Sequence, residues 1–267
     1  MKVSVVMSVY QQGHLTALRA AIVSVLSQSF CDFEFIIYAD GCKDDILSFL
    51  HDFERTDKRI RVLAGLRNHG LAYGLNQCLR SATGEFIMRM DADDWCEPLR
   101  LEHQLKALHE HPEAEWCSCN ALLFDDHGIW GERVLKESPD TMDLRFKPPF
   151  IHAATLFRAG CLKTVGGYRD TRWTRRVEDI DLWFRLYAHG YRGINCADRD
   201  YWIREDHTAY RRRRYRYRIN ECWVKHQGFK QLHLYPKAFP YVIKPLIVGL
   251  IPQVILKRLR GESIRSL

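Results

Sequence analysis

The stretch Phe86-Ile87-Met88-Arg89-Met90-Asp91-Ala92-Asp93-Asp94 decides the fold. Its first five residues close an apolar strand running from Glu85 to Met90, and three carboxylates follow within four positions. In an open α/β sheet, ligands collect beyond the carboxyl ends of the strands. Three acidic side chains crowded at such an end repel one another unless a cation lies between them. Mg²⁺ or Mn²⁺ on a diphosphate answers both the crowding and the position, because hard cations take carboxylate oxygens and bridge to phosphate. Taken alone, the same residues also suit a solvated acidic turn or the start of a helix at Pro98.

Working outward, Val3 to Val9, Phe33 to Tyr38 and Arg59 to Leu63 read as further strands. Leu15 to Gln28, Asp44 to Phe53 and Leu71 to Arg80 lie between the strands and carry helical spacing, with Leu15, Leu18, Ile22, Val25 and Leu26 on one face. Strands separated by helices of this length form βαβ units in a parallel sheet covered on both sides. On the carboxyl side, Pro98 to Glu110 is a predicted helix with Leu101, Leu105 and Leu108 inward. Trp116 to Phe124 and Gly131 to Leu135 are predicted strands near the Asp126-His127-Gly128 turn, and Val177 to His189 is an amphipathic helix. The expected architecture is a single α/β domain with a mostly parallel central sheet flanked by helices, ending near residue 208.

Residues 209–267 differ in kind. Six arginines fall between Tyr210 and Arg218, and the strongly apolar Ala238 to Leu256 is interrupted by Pro240, Lys244, Pro245 and Pro252. A spanning helix needs about 20 mostly apolar residues, so a basic and apolar helical tail lying on a membrane surface is the better expectation. The net charge of +7 in 267 residues is therefore uneven, which excludes a uniformly basic nucleic-acid coat. Nine cysteines without any CxxC or Cys/His finger spacing argue against structural zinc and a disulfide framework, and fit a reducing cytosol. The opening apolar run is too short and too β-branched for a signal peptide. A cytoplasmic protein, peripheral on the inner face of the membrane, is expected.

Two further clusters carry chemistry. Tyr38-Ala39-Asp40-Gly41 ends the second strand, where a carboxylate can accept from a base N–H or a ribose hydroxyl, and Tyr10 ends the first strand with an aromatic face. Glu178-Asp179-Ile180-Asp181 opens the last predicted helix. Acidic residues suit a helix N-terminus for electrostatic reasons alone, and one of them could also serve as a general base.

Taken in order, these elements resemble family 2 glycosyltransferases. The likeness runs through Val3 to Tyr10, Ser24 to Phe30, Phe33 to Ile37 with Asp40-Gly41, and Asn68-His69-Gly70-Leu71-Ala72 with Leu75-Asn76. It continues through Gly84 to Asp94, Gly166-Gly167-Tyr168, and Glu178-Asp179 with Asp181-Leu182-Trp183. The resemblance implies the A-type glycosyltransferase fold, a divalent metal (Mn²⁺ or Mg²⁺), a nucleotide-sugar donor with UDP as the favoured carrier, and inversion at the anomeric carbon. It divides residues 1–208 into a nucleotide-sugar-binding half, 1–95, and an acceptor-binding half, 96–208. It places Tyr10 against the base, Asp40 on base or ribose, and Asn68, Asp91 and Asp93 on the donor. Asp93, Asp94 and His207 would hold metal, Asp179 would be the catalytic base, and His152, Glu178 and Trp183 would lie near the acceptor. Similar chains build O-antigen, capsule or exopolysaccharide repeat units, so a lipid-diphosphate-linked glycan is the expected acceptor.

The chain departs from the family pattern in having Ala39 before Asp40 instead of a second acidic residue, and in carrying the terminal Arg-x-His element only loosely, as Arg204 to His207. A nucleotidyltransferase acting on sugar phosphates would share the scaffold, but no Gly-rich triphosphate loop follows the first strand. A nucleic-acid-binding module could use the arginine run with Tyr210, Tyr215 and Tyr217, although the acidic cluster would repel a phosphate backbone. A glycosidase would use paired carboxylates without the nucleotide elements.

Overall fold

The computed structural model of the chain describes residues 2–11, 15–205 and 215–250. Its first part is a run of strand–helix units: β1 (Val3–Val9), α1 (Leu15–Leu26), β2 (Phe33–Asp40), α2 (Asp44–Thr56), β3 (Ile60–Gly65), α3 (Leu71–Ser81) and β4 (Phe86–Arg89). All four strands are parallel, in the order β3-β2-β1-β4. Alternation along each strand feeds two cores. Val3, Val5, Met7 and Val9 of β1 meet α1 and α2 on one side, and Val6 meets Leu75 and Cys78 of α3 on the other. Burial on both faces is why β1 and β2 read as nearly unbroken apolar runs.

The second part comprises β5 (Trp95–Cys96), α4 (Arg100–Glu110), β6 (Trp116–Asp125), β7 (Gly128–Arg133), β8 (Leu156–Arg158), α5 (Ala159–Thr164), α6 (Glu178–Ala188) and β9 (Gly193–Arg204). The sheet continues from β4 as β8-β6-β9-β5, with β7 added to β6. Here β4–β8, β8–β6, β6–β7 and β9–β5 are antiparallel, and only β6–β9 is parallel. The mostly parallel expectation thus describes the first half, and the second is mixed. The β6–β7 pair has a local cause: a two-residue turn at Asp126 and His127 permits only an antiparallel neighbour. The turn is closed by Gly128 at φ 118°, so β7 begins three residues before the predicted Gly131. β9 escapes prediction because Asp198-Arg199-Asp200 interrupts its pattern.

Leu101, Leu105 and Leu108 of α4 face inward as expected. Beyond β9, α7 (Arg216–Gln231) and α8 (Phe239–Leu250) lie on the α6 side. Val224, Phe229, Ala238 and Val242 join the core that holds Leu182, Trp183 and Phe184. The described part of the tail therefore shares the domain's core on one face. Its other face exposes Phe239, Ile243, Ile247 and Leu250. Among the described residues, no helix is long and apolar enough to cross a membrane.

The seating of α7 is tight at Gly228, where an added Cβ would come within 2.1 Å of the Phe184 ring. Gly228→Ala gains roughly 1 kcal/mol of helix propensity but overpacks the contact, at a cost of about 1–3 kcal/mol. The urea midpoint should fall below that of the wild type. A midpoint raised by the propensity gain would mean that α7 is not docked as described.

Candidate active site

β4 is the seam of the sheet, parallel to β1 and antiparallel to β8, and the acidic loop leaves from its carboxyl end. Arg89, its last residue, is 2% exposed, and its Nη2 meets Asp91 Oδ1 at 2.6 Å. Its Nε and Nη1 are buried without hydrogen-bond partners. The loop itself is held by β9. The Asp91 N–H donates to the Tyr201 hydroxyl at 3.2 Å, the Arg204 N–H donates to Asp94 Oδ1 at 2.8 Å, and Trp95 pairs with Trp202. Asp94 is thereby buried, and Asp93 faces out.

One carboxylate oxygen from each of Asp91, Asp93 and Asp94 lies within 4.8 Å of the others. Desolvation, then the Asp91 charge, raises Asp93 to about 6, and burial with both neighbours raises Asp94 as well. Of the three, Arg89 pairs directly with Asp91, and its charge only partly offsets the rise at Asp93. Two carboxylates with raised proton affinity therefore remain, and this all-oxygen donor set fits one hard divalent cation.

The facing wall is built from the second half. Gly166 and Gly167 turn the chain at φ 73° and 68°, and a Cβ on Gly167 would come within 2.6 Å of Asn76 Oδ1. Asn76 grips the next residue twice: its amide donates to the Tyr168 carbonyl at 2.7 Å, and its carbonyl accepts from the Tyr168 N–H at 2.9 Å. The turn is then locked to α6, because Arg185 donates to the Val165 and Gly167 carbonyls while Asp181 binds both Arg169 and Arg185. Tyr168 is so placed that its hydroxyl meets His152 Nε2 at 2.7 Å. His152 sits on a 3₁₀ turn, His152–Ala154, fixed by α4: Arg100 donates to the carbonyls of both Ala153 and Arg89, and Gln104 donates to that of Ala154. One buried guanidinium thus sets the spacing between the β4 end and the His152 turn.

Glu178 and Asp179 open α6 on this wall. Burial raises Asp179, opposed by the Ile180 N–H and the Arg89 charge, and the Glu221 charge of α7 adds to the rise. Burial and then Asp179 push Glu178 up to about 7. Burial, then Arg89, holds His152 well below the usual imidazole range, so its ring is neutral at pH 7. Arg89 is therefore close enough to act on Asp91, Asp93, Asp179 and His152 together.

On the β1–β2 side, Tyr10 ends β1 with 44% of its surface exposed. Asp40 was expected to face base or ribose, but it is buried, and its oxygens accept from Asn68 Nδ2 at 3.0 Å, the His69 N–H at 2.9 Å and the Gly70 N–H at 2.7 Å. Asp40 and Asn68 thus spend these groups on each other and on the 68–70 loop, which also packs on Gly41. Trp183, expected near the acceptor, is fully buried and stacks on Phe157 at 5.6 Å and 18°. Its place on the Leu182–Leu186 face of α6 turns it into the core, from where it supports the His152 ring edge-on. His207 lies outside the described residues.

The sequence reading assigned no role to Arg89, Arg100 or Tyr201. A signal was present for the first of these: an arginine inside a strand that two-sided burial requires to be apolar.

Residues 4–164 match the family described as Glycosyl transferase family 2. The chain is 36% identical over 266 residues to a protein of Bacillus subtilis (strain 168) named as glycosyltransferase EpsE, covering 99% of this chain and 95% of that one. It is 28% identical to the amylovoran biosynthesis glycosyltransferase AmsE of Erwinia amylovora, over 73% of each. Among solved structures, S. aureus TarS 1–349 in complex with UDP-GlcNAc superposes with a TM-score of 0.69 at 16% identity, covering all of this chain and 76% of that one. The mannosyltransferase PcManGT from Pyrobaculum calidifontis, with GDP-Man and Mn²⁺, gives 0.65 at 19% identity, covering 99% and 76%. These likenesses establish the A-type glycosyltransferase fold.

The raised carboxyl at Glu178 has a stability consequence. The folded protein holds this proton up to about pH 7, whereas the unfolded chain releases it near the ordinary glutamate value of 4.5. Its stabilising contribution is present at low pH and is lost as pH rises between those values. Glu178→Gln should therefore stabilise the protein at pH 8 by roughly 1–3 kcal/mol and change little at pH 4.5. Thermal unfolding of both proteins across that range is the check, and a difference independent of pH would show that Glu178 is not held in its protonated form.

Proposed function

The chain belongs to glycosyl transferase family 2 and is a glycosyltransferase, and on that premise we propose that it moves a sugar from a UDP-sugar to a hydroxyl of a lipid-diphosphate-linked glycan, with inversion. The observation that carries this reading is the buried guanidinium of Arg89, whose charge acts on the β4-end carboxylates and on Asp179 alike. Tyr10 offers its exposed ring to the base, and Asp40 shapes the base-side wall through the 68–70 loop it fastens. Asp93 and Asp94 would hold Mn²⁺ or Mg²⁺, which supplies Lewis-acid stabilisation of charge on the donor diphosphate.

Asp179 accepts the proton of the acceptor hydroxyl as that oxygen bonds to the anomeric carbon, and the bond from that carbon to UDP breaks on the opposite face, releasing UDP. Burial lifts its proton affinity in the direction a general base needs, and the Arg89 charge opposes that lift. His152, neutral and joined to Tyr168, and Glu178 orient the acceptor. AmsE, named for amylovoran biosynthesis, supports cell-surface polysaccharide as the product class. The outward stripe of α8 supports peripheral membrane contact at the cytoplasmic face.

Asp179→Asn should lower kcat by about 10²–10⁴-fold while UDP-sugar affinity persists. Turnover equal to the wild type would remove Asp179 from the role. Asp93→Ala should abolish the Mn²⁺-dependent rise in Tm that UDP gives the wild type. If no nucleotide raises the wild-type Tm with Mn²⁺ present, the donor assignment itself falls.

A further inference from the structure

The loop between the Gly166-Gly167 turn and α6 meets the first turns of α7 around a cavity of about 470 Å³. Arg172, Arg175 and Arg216 line it with Asp170, Trp173 and Tyr217. Two of the guanidiniums lie on aromatic rings: Arg172 is 4.6 Å from the centre of Trp173, and Arg216 is 4.8 Å from that of Tyr217. Trp173 is in turn stacked on Trp223 at 5.9 Å and 17°. The loop is fastened to α7 by the buried Asn220, whose amide donates to the Arg172 and Arg175 carbonyls at 3.1 and 3.0 Å. Thr174, also buried, closes it again by donating to the Arg169 carbonyl at 2.6 Å.

The charge is unanswered. Nearby Arg169 and Arg218 have carboxylate partners in Asp181 and Glu221. Among the described residues, Arg172, Arg175 and Arg216 are in no ion pair, and Asp170 is the one carboxylate in the lining. The Arg172 and Arg216 guanidiniums lie against rings, with Arg216 Nη2 also donating to the Tyr217 hydroxyl at 2.8 Å, and planar donor forks suit phosphate oxygens.

Two more observations give the ligand a shape. The cavity belongs to the acceptor side: its loop leads directly into Glu178 and Asp179, and Glu221, next to Asn220, acts on the charge of Asp179. An apolar strip adjoins it. Tyr215 and Ile219 of the α7 start are exposed, and the far end of α8 lies against Tyr215 and Arg218, so that a Cβ on Gly249 would come within 3.1 Å of the Tyr215 ring. Exposed Ile247 and Leu250 extend that strip.

We propose that the Arg172–Arg175–Arg216 cavity binds the diphosphate of an isoprenoid-diphosphate-linked acceptor, and that the Tyr215–Leu250 strip takes the first part of its chain. This rests on the lipid-linked acceptor reading above and adds to it a site and a set of contacts. The site is separate from the donor's, which lies at the carboxyl ends of β1 and β4.

The test uses the full chain with EDTA present, so that the carboxylate cluster takes up no pyrophosphate through a metal. Tryptophan fluorescence, to which Trp173 and Trp223 contribute, is titrated with inorganic pyrophosphate, farnesyl diphosphate and farnesol. Farnesyl diphosphate should bind more tightly than either of the others. Arg172→Ala/Arg175→Ala should weaken it about ten-fold or more, and Arg216→Ala should act in the same direction. Both variants should keep the Mn²⁺-dependent protection by UDP, since neither alters the donor site. Unchanged farnesyl diphosphate affinity in the double variant overturns the proposal, as does farnesol binding equal to that of farnesyl diphosphate. A double variant that loses flotation with phosphatidylglycerol vesicles but keeps farnesyl diphosphate would make the patch a membrane contact, which also overturns it. The donor assignment fails separately, if UDP with Mn²⁺ does not protect the wild type.

Discussion

A charge buried at the seam of the sheet governs the site. An isolated guanidinium in a protein interior costs several kcal/mol unless it is paired, and the Arg89 side chain is fully engulfed. It is tolerated because acidic groups surround it: Asp91 in direct contact, with Asp93 and Asp179 within reach of its field. The dependence is mutual. Without the cation, Asp91, Asp93 and Asp94 would repel one another more strongly at one strand end, and Asp179 would lose a charge that opposes its rise. The backbone of Arg89 is equally committed, its N–H to the Thr155 carbonyl and its carbonyl to the Arg100 guanidinium. The residue therefore joins the parallel half of the sheet to the mixed half both electrostatically and through the ladder.

What the sequence disclosed follows from how each feature encodes itself. β1 and β2 were plain because two-sided burial leaves an unbroken apolar run, and α4 because Leu101, Leu105 and Leu108 repeat at helical spacing. β9 was hidden because the Asp198–Asp200 segment is polar, although it lies in the strand that pins the acidic loop. The acidic clusters were visible as carboxylates, but their orientation was not. Asp40 shows the limit: a carboxylate at a strand end can face a ligand or the N–H groups of the next loop, and only the fold reveals that His69 and Gly70 claim it. Trp183 shows another, since likeness to a family carries a residue's position along the helix but not which side of it is open.

The tail illustrates a related point about composition. An arginine run and an apolar run with prolines, taken as text, read as an appendage. In the fold, α7 contributes Val224 and Phe229 to the core beneath α6, and its Glu221 bears on Asp179. Residues after β9 thus help to set the chemistry of a side chain placed before it, and α7 belongs to the machinery whatever its outer face touches.

That arrangement also explains how a chain of net charge +7 can carry an acidic cleft. Opposite charges are sorted by ligand side. The carboxylates gather at the β4 end, where the proposed hard cation would offset their repulsion of a donor diphosphate. Arg172, Arg175 and Arg216, in no ion pair among the described residues, gather on the loop before α6 and on α7. Reversing the two would set carboxylates against the proposed anionic acceptor with no cation to mediate, and would set bare arginines where the proposed metal would sit. Charge sorting of this kind raises the local concentration of each ligand on its own side, and the paired Arg89 and the raised Asp179 stand where the two fields meet.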